Sequence, residues 1–237
     1  MTTSAARRTE LQPAPVLVAG AALLLDPAGA VWWADEETLI VADLHLEKGS
    51  ALAGRGRLLP PYDTTATLAA LAALVARYRP RRVVALGDSF HDAEGPERLA
   101  IGERERLAGL VAGREWIWIE GNHDGAAASG LGGISTDVAE IGPLSFRHEP
   151  RPRDAPGSLA GHLHPAAKVR VRGMSFRRRC FAVDRDRVVL PAFGAYTGGL
   201  NVLDAAFHGL FSPTGFRAFL IGSETVHAVP LAGLVRD

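Results

Sequence analysis

Thr38-Leu39-Ile40-Val41-Ala42-Asp43-Leu44-His45 is the stretch on which the reading of this chain turns. Residues 38–42 carry no charge and little polarity, which predicts a strand buried on both faces, as in parallel sheets. An Asp and a His follow at its carboxyl end. The arrangement recurs twice downstream. Residues 82–86 lead into Gly87-Asp88, and residues 116–119 lead, past Glu120, into Gly121-Asn122-His123-Asp124. Between these strands lies an Ala/Leu-rich helix, capped by Asp63 or Thr64 and running to about Arg79, with Leu68, Leu71, Ala72 and Val75 on its buried face. A second helix is predicted from about Pro96 to Val111. Strand, ligand, helix in repetition is the α/β pattern in which sites form beyond the carboxyl ends of parallel strands.

Working outward, residues 1–15 are a polar, proline-bearing lead expected to be loose. Residues 16–25 read as one strand, Asp26-Pro27-Ala28-Gly29 as a turn, and Val31-Trp32-Trp33 as a second strand. After residue 130 the rhythm changes. Short strand candidates lie at 138–141, 144–147, 158–160, 168–172, 180–183, 187–190, 216–221 and 225–229, and suggest a mostly antiparallel sheet. Two more ligand-rich pieces sit among them, His148 and Gly161-His162-Leu163-His164. They must reach the same place as Asp43 and Asp88. The expected fold is therefore α/β, with two stacked mixed β-sheets flanked by helices, in a single domain over 16–237. Segments 49–61, 126–133 and 150–157 are expected to be mobile.

At 237 residues with 47% hydrophobic residues, the chain is neither disordered nor fibrous. No apolar run approaches the roughly 20 residues that span a bilayer, and the start does not read as a signal peptide. A single cysteine, Cys180, cannot form an internal disulfide, which fits a reducing cytoplasm. Net charge is zero, but residues 147–187 hold 11 basic and 4 acidic residues. Nearly all positive charge is arginine, with Lys48 and Lys168 the only lysines. The densest run, Arg177-Arg178-Arg179, fits either a nucleic-acid backbone or a solvated face.

All of the candidate ligands are oxygen or imidazole, with no thiolate, which suits hard or borderline divalent ions. Asp43 and His45 are two apart, so an extended segment would put both on one face. His162 and His164 repeat that spacing. The carboxylate of Asp88 has two oxygens and can bridge two cations. Asn122 ligates through its amide oxygen, and His148 supplies another imidazole. Each piece alone is weak, because Asp, Asn and Gly also favour turns. The five together, each after a strand-like run, point to a dinuclear centre. His123 and Asp124 read as an acid with its orienting carboxylate. His91 either shapes the pocket or bonds a backbone carbonyl, and Tyr196, in a Gly-rich loop, either stacks a base or packs the loop.

These pieces, Asp-x-His, Gly-Asp, Gly-Asn-His-Asp, a lone His and Gly-His-x-His, resemble the pattern of the calcineurin-like metallophosphoesterases. Within them the chain is similar to the DNA-ligase-associated, DNA-damage-response phosphoesterase and endonuclease group, over about residues 16–230. That narrower likeness lies in 43–49, in Leu59-Pro60-Pro61-Tyr62-Asp63-Thr64, in Gly87-Asp88-Ser89-Phe90-His91-Asp92, in His148-Glu149-Pro150, and in 190–199. The Gly-Asp-x-x-Asp-Arg of many family phosphatases is not kept, since His91 and Asp92 stand where Asp and Arg would be.

The resemblance implies a four-layer sandwich and two divalent ions, Mn²⁺ in the family's usual assays, with Fe²⁺ or Zn²⁺ as alternatives. One ion would be held by Asp43, His45, Asp88 and His164, the other by Asp88, Asn122, His148 and His162. A hydroxide shared by the ions would attack phosphorus, and His123, oriented by Asp124, would assist the leaving oxygen. The implied substrate is a phosphodiester, DNA in this group, with a DNA ligase and helicase repair system as partners. A small-molecule phosphomonoesterase, a cyclic-nucleotide phosphodiesterase and a non-enzymatic scaffold are the alternatives.

Overall fold

The computed structural model describes residues 11–237, so residues 1–10 of the expected lead lie outside the described residues. The first half builds one sheet and its helices: β1 (Ala14–Val18), β2 (Ala21–Leu25), β3 (Val31–Trp33), β4 (Thr38–Val41), α1 (Lys48–Ala53), α2 (Asp63–Tyr78), β5 (Arg82–Leu86), α3 (Gly95–Arg98), α4 (Ile101–Val111), β6 (Glu115–Ile119) and β7 (Ile134–Thr136). The strands lie in sequence order, β1 to β7. β1 to β4 pair antiparallel, and β4 to β7 pair parallel. All the parallel strands therefore point their carboxyl ends to one edge.

The second half supplies β8 (Val138–Ile141), β9 (Leu144–Arg147), β10 (Ser158–Ala160), β11 (Pro165–Val171), β12 (Met174–Val183), β13 (Arg187–Val189), β14 (Leu200–Asn201), β15 (Arg217–Ile221), β16 (Val226–Pro230) and β17 (Leu234–Val235). Most of its pairs are antiparallel, but β9, β10 and β13 run parallel at its centre. Those parallel strands bring the carboxyl ends of β9 and β10, and with them the second set of histidines, to a shared edge.

Alternation along the buried strands sorts the core into layers. Ile40, Val84, Leu86, Ile117 and Ile119 face the second sheet and meet Phe146, Leu159, Phe181 and Leu190. Leu39, Val41, Val83, Ala85, Trp116 and Trp118 face the other way and meet Leu68, Leu71, Leu74 and Leu107 of the helices. The outer side of the second sheet is covered by Phe207, Leu210 and Phe216, with Cys180 sealed beneath them. Burying each such side chain is worth about 1.5–3 kcal/mol. Cys180 is fully buried and its thiol is pushed up by that burial, which agrees with a packing role.

Several local expectations are revised. Residues 16–25 are two strands, folded at Ala19 (φ 46°) and Gly20 (φ 87°). The helix expected from 96 to 111 is broken at Leu99 (φ −54°, ψ 126°), which leaves helical geometry and buries its side chain among the α2 and α4 residues. Within 49–61, expected to be mobile throughout, residues up to Ala53 form α1.

Candidate metal centre

The ligand loops leave the strands in a conformation the sequence did not announce. Asp43 (φ 52°), His45 (φ 42°), Asp88 (φ 45°), His162 (φ 67°) and His164 (φ 45°) all lie in the left-handed region. The Asp43/His45 and His162/His164 pairs are thus not extended, as their two-residue spacing suggested. The backbone kinks at each ligand and turns both side chains inward. Non-glycine residues held this way cost about 1–3 kcal/mol each and gather at functional sites. Two glycines make the crowding possible. A Cβ on Gly87 (φ 75°) would collide with the His148 ring, and one on Gly161 would come 2.6 Å from Asp43 Oδ2.

The side chains meet in two groups. Asp43, His45 and His164 form one, and Asp88, His148 and His162 the other, with the ligand atoms of each within 4.8 Å of one another. Asp88 Oδ2 lies between them, 3.9 Å from His45 Nε2 and 3.4 Å from His148 Nε2. Asn122 joins the second group, its Oδ1 2.8 Å from His148 Nε2. All seven residues read as metal ligands in the sequence are thus brought together. Asp43, Asp88, His45 and His148 are buried, while His162 and His164 are half-buried and Asn122 is exposed at the mouth.

The donor set fits divalent cations. His148 Nδ1 donates to the Leu86 carbonyl at 3.0 Å, which turns Nε2 to the site in the orientation a ligand needs. His45 Nε2 and His164 Nε2 face each other at 3.3 Å, and His162 Nδ1 and His148 Nε2 at 3.1 Å. Pairs of imidazole nitrogens at that range suit a shared cation. Burial works against a proton on His148, yet the Asp88 hydrogen bond and the Asp43 and Asp88 charges outweigh it and raise the group to about 9. The same negative field attracts a metal ion. On the other side, burial lowers His45 to about 3 against the pull of Asp88, so it stands neutral and ready to ligate. Burial also resists ionisation of Asp88, but His148 and the His123 backbone N–H carry it down to about 2.

His123 stands at the opening, with 42% of its side chain exposed and Nε2 3.9 Å from Asp88 Oδ2. Its orienting partner differs from the expected one. Nδ1 donates to the His91 carbonyl at 3.1 Å, and the His91 ring stacks on it at 5.4 Å and 25°. Asp124 instead turns inward, where Oδ2 accepts the Phe90 N–H at 2.9 Å. A five-residue turn closed by Gly125 N–H to Gly121 carbonyl points consecutive side chains apart, which separates Asp124 from the His123 ring. Of the two readings open for His91, the ring lies at the opening beside His123, and its Nδ1 bonds no carbonyl among the described residues; it is the His91 backbone carbonyl that accepts from His123. The sequence signal for it was its place three residues after Asp88, on the next loop residue to face the opening.

Two further stretches hold the ligand loops. Glu47 accepts from Thr64 Oγ1 at 2.9 Å and Ser50 Oγ at 2.6 Å, and Asp63 accepts the Gly49 N–H at 2.8 Å. The start of α2 is thereby clamped to the loop after His45. Phe193 N–H and Gly194 N–H donate to the Ala42 and Asp43 carbonyls at 2.8 and 3.1 Å, so the 190–199 loop seats on the other side. The three arginines at 177–179 separate. Arg177 meets Asp237 and the Gly199 carbonyl, Arg178 is exposed, and the half-buried Arg179 donates to the Ala192 carbonyl at 2.7 Å. Tyr196 is exposed in its loop.

A nuclease from Pseudomonas putida, MPE, superposes with a TM-score of 0.70 at 30% identity, over 92% of this chain and 100% of its own. The chain belongs to the calcineurin-like metallophosphoesterases. It is a phosphoric ester hydrolase with two ligand groups suited to metal. A phosphoesterase from E. coli, Yfce, is 14% identical over 82% of this chain and 98% of its own, with a TM-score of 0.42. No protein-family model and no curated protein sequence matches this metallophosphoesterase. Among the described residues no helix is long and apolar enough to cross a membrane.

Proposed function

We propose that this chain hydrolyses phosphodiester bonds in nucleic acid, with DNA as the substrate, as a dinuclear enzyme. The observation that carries the reading is Asp88 Oδ2 set between two complete ligand groups, with His123 at their mouth. Asp43, His45, Asp88 and His164 would hold one ion, and Asp88, Asn122, His148 and His162 the other. Ions so held supply Lewis acidity toward a phosphoryl group and a nucleophilic water at neutral pH. The chain's own residues do the rest. His148 keeps Nε2 toward the centre through its bond to Leu86. With Nδ1–H pinned on the His91 carbonyl, His123 presents Nε2 to the opening, where a proton there would pass to the departing oxygen. His91 stacks against that ring and fixes its plane.

The nucleic-acid substrate is supported by the similarity to the Pseudomonas putida nuclease and by the cationic stretch over 147–187. Manganese as the native metal, a cytoplasmic setting, a part in DNA repair and a DNA ligase and helicase as companions rest on the subgroup motifs alone. A panel tests the reading. The protein is assayed with Mn²⁺, Fe²⁺ and Zn²⁺ on a phosphomonoester, a small phosphodiester, and single- and double-stranded DNA. Cleavage of DNA and of the small diester, abolished by chelation, is the expected result. Hydrolysis confined to the monoester would replace the reading with a small-molecule phosphatase.

A further inference from the structure

β10 and β13 run parallel, and both point toward the Gly161–His164 edge where the ligands gather. β12 is antiparallel to β13, with Ala182 opposite Val189, so its first residue, Met174, lies at the metal end. β11 starts at Pro165, directly after His164, and pairs with β12 as far as Val171 opposite Met174. The β11–β12 hairpin therefore overhangs the metal-bearing edge, and closes through Arg172 (φ 50°) and Gly173 (φ 79°). At about 3.3 Å per residue, Lys168 and Arg170 stand about 13 and 20 Å along the strand from His164.

The two faces of this ribbon differ. Phe181 and Val183 belong to the core between the sheets, so Arg179, Arg177 and Ser175 share their inward face. Register adds Lys168, opposite Arg177, and Arg170, opposite Ser175. Arg179 and Arg177 confirm the direction, since they reach the Ala192 and Gly199 carbonyls of the loop seated on Asp43 and His164. The other face carries Val171, Met174, Phe176 and Arg178. Among the described residues Lys168 and Arg170 make no ion pair, whereas Arg177 is met by Asp237. Alternate positions on one strand are about 7 Å apart, close to the phosphate repeat of an extended single strand.

We propose that the inward face of the β11–β12 hairpin, through Lys168 and Arg170, holds the phosphate backbone of the nucleic-acid strand as it leaves the metal centre. The inference rests on the nucleic-acid reading above and adds where the strand runs. Arg177 and Arg179 shape the face but are tied to the protein. Positive charge on the inward side meets phosphate, and the strand itself leads there from the ligand His164.

The test compares the metal-loaded parent, the Lys168→Gln/Arg170→Gln double variant, and Arg178→Gln on the opposite face. The readout is kcat/KM on single-stranded DNA across salt concentration, with hydrolysis of bis(p-nitrophenyl) phosphate alongside. The double variant should lose kcat/KM at low salt through KM. The slope of log kcat/KM against log salt should become shallower by about 1.4, at about 0.7 per phosphate contact on a single strand. Hydrolysis of the small diester should hold, and Arg178→Gln should match the parent on DNA. An unchanged slope in the double variant, or an equal change in Arg178→Gln, overturns the track while the nucleic-acid reading stands. A parent that hydrolyses the small diester and leaves DNA untouched overturns both.

Discussion

Asp124 is the residue whose role changes most between sequence and structure, and its titration separates the two accounts. The carboxylate is buried, which raises it from the ordinary 3.8 to about 6, helped by the Asp88 charge and opposed by the backbone N–H groups of Phe90, Ser89 and Gly121. Among the described residues Oδ1 has no hydrogen-bond partner. A folded-state value above the unfolded one means the native protein binds the proton more tightly. The associated stability is complete below pH 3.8 and is lost as pH rises through about 6. That interval, at 1.36 kcal/mol per pH unit, amounts to about 3 kcal/mol. In Asp124→Asn the Asn Oδ1 still accepts the Phe90 N–H, and nothing titrates. Urea unfolding of chelator-treated wild type and variant, from pH 4 to 8, gives the difference in stability at each pH. The variant should gain on the wild type by about 2.4 kcal/mol between pH 4 and 7.5, because part of the full span already lies below pH 4, whatever constant offset the substitution brings. Differencing removes the other titrating groups, including His148. On the metal-loaded enzyme, Asp124→Asn should retain the wild-type ratio of rates on good and poor leaving groups, because the His91 carbonyl still holds His123. A flat stability difference, or loss of that ratio, would refute the reasoning.

Three other substitutions probe the centre. Asp88→Asn should lower bound metal, counted by elemental analysis, and hydrolysis together; full activity with one ion per chain contradicts a shared carboxylate. His123→Ala should keep its metal and lose about 10²–10⁴-fold in kcat on a poor leaving group, with a smaller loss on nitrophenolate. Equal losses on both would assign the ring to positioning. Gly87→Ala combines a left-handed backbone with a collision against His148. It should destabilise the protein by more than about 1 kcal/mol, read by urea denaturation, and weaken metal retention; wild-type stability would show that the loop yields.

Much of this architecture was readable because its strands are buried on both faces. Uninterrupted apolar runs such as Leu39-Ile40-Val41 and Val83-Val84-Ala85 are too short to cross a bilayer and find their place inside a sheet covered on both faces, and the polar residue that ends each run marks the sheet edge. The turn at Ala19-Gly20 was hidden because alanine seldom adopts positive φ, and only hairpin pairing of Val18 with Ala21 imposes it. The break at Leu99 was hidden because it follows from core packing rather than from a cap or a proline at that point. The separation of Arg177, Arg178 and Arg179 follows from strand alternation, and the buried neighbour Cys180 was the clue to it. The orienter of His123 was missed because a backbone carbonyl leaves no mark on side-chain identity.

The five left-handed ligands carry a consequence for how such a sequence drifts. At about 1 kcal/mol or more apiece, they hold strain comparable with the 5–15 kcal/mol by which a typical domain stays folded. Glycine or asparagine at those places would relieve the backbone and remove or weaken a ligand in the same stroke. Selection for stability alone therefore runs against Asp43, His45, Asp88, His162 and His164, and only selection for chemistry keeps them. A lineage released from its activity would shed these five residues early, while Leu39, Val84 and Ile117 beneath them stayed, leaving a more stable sandwich with a smooth, empty edge.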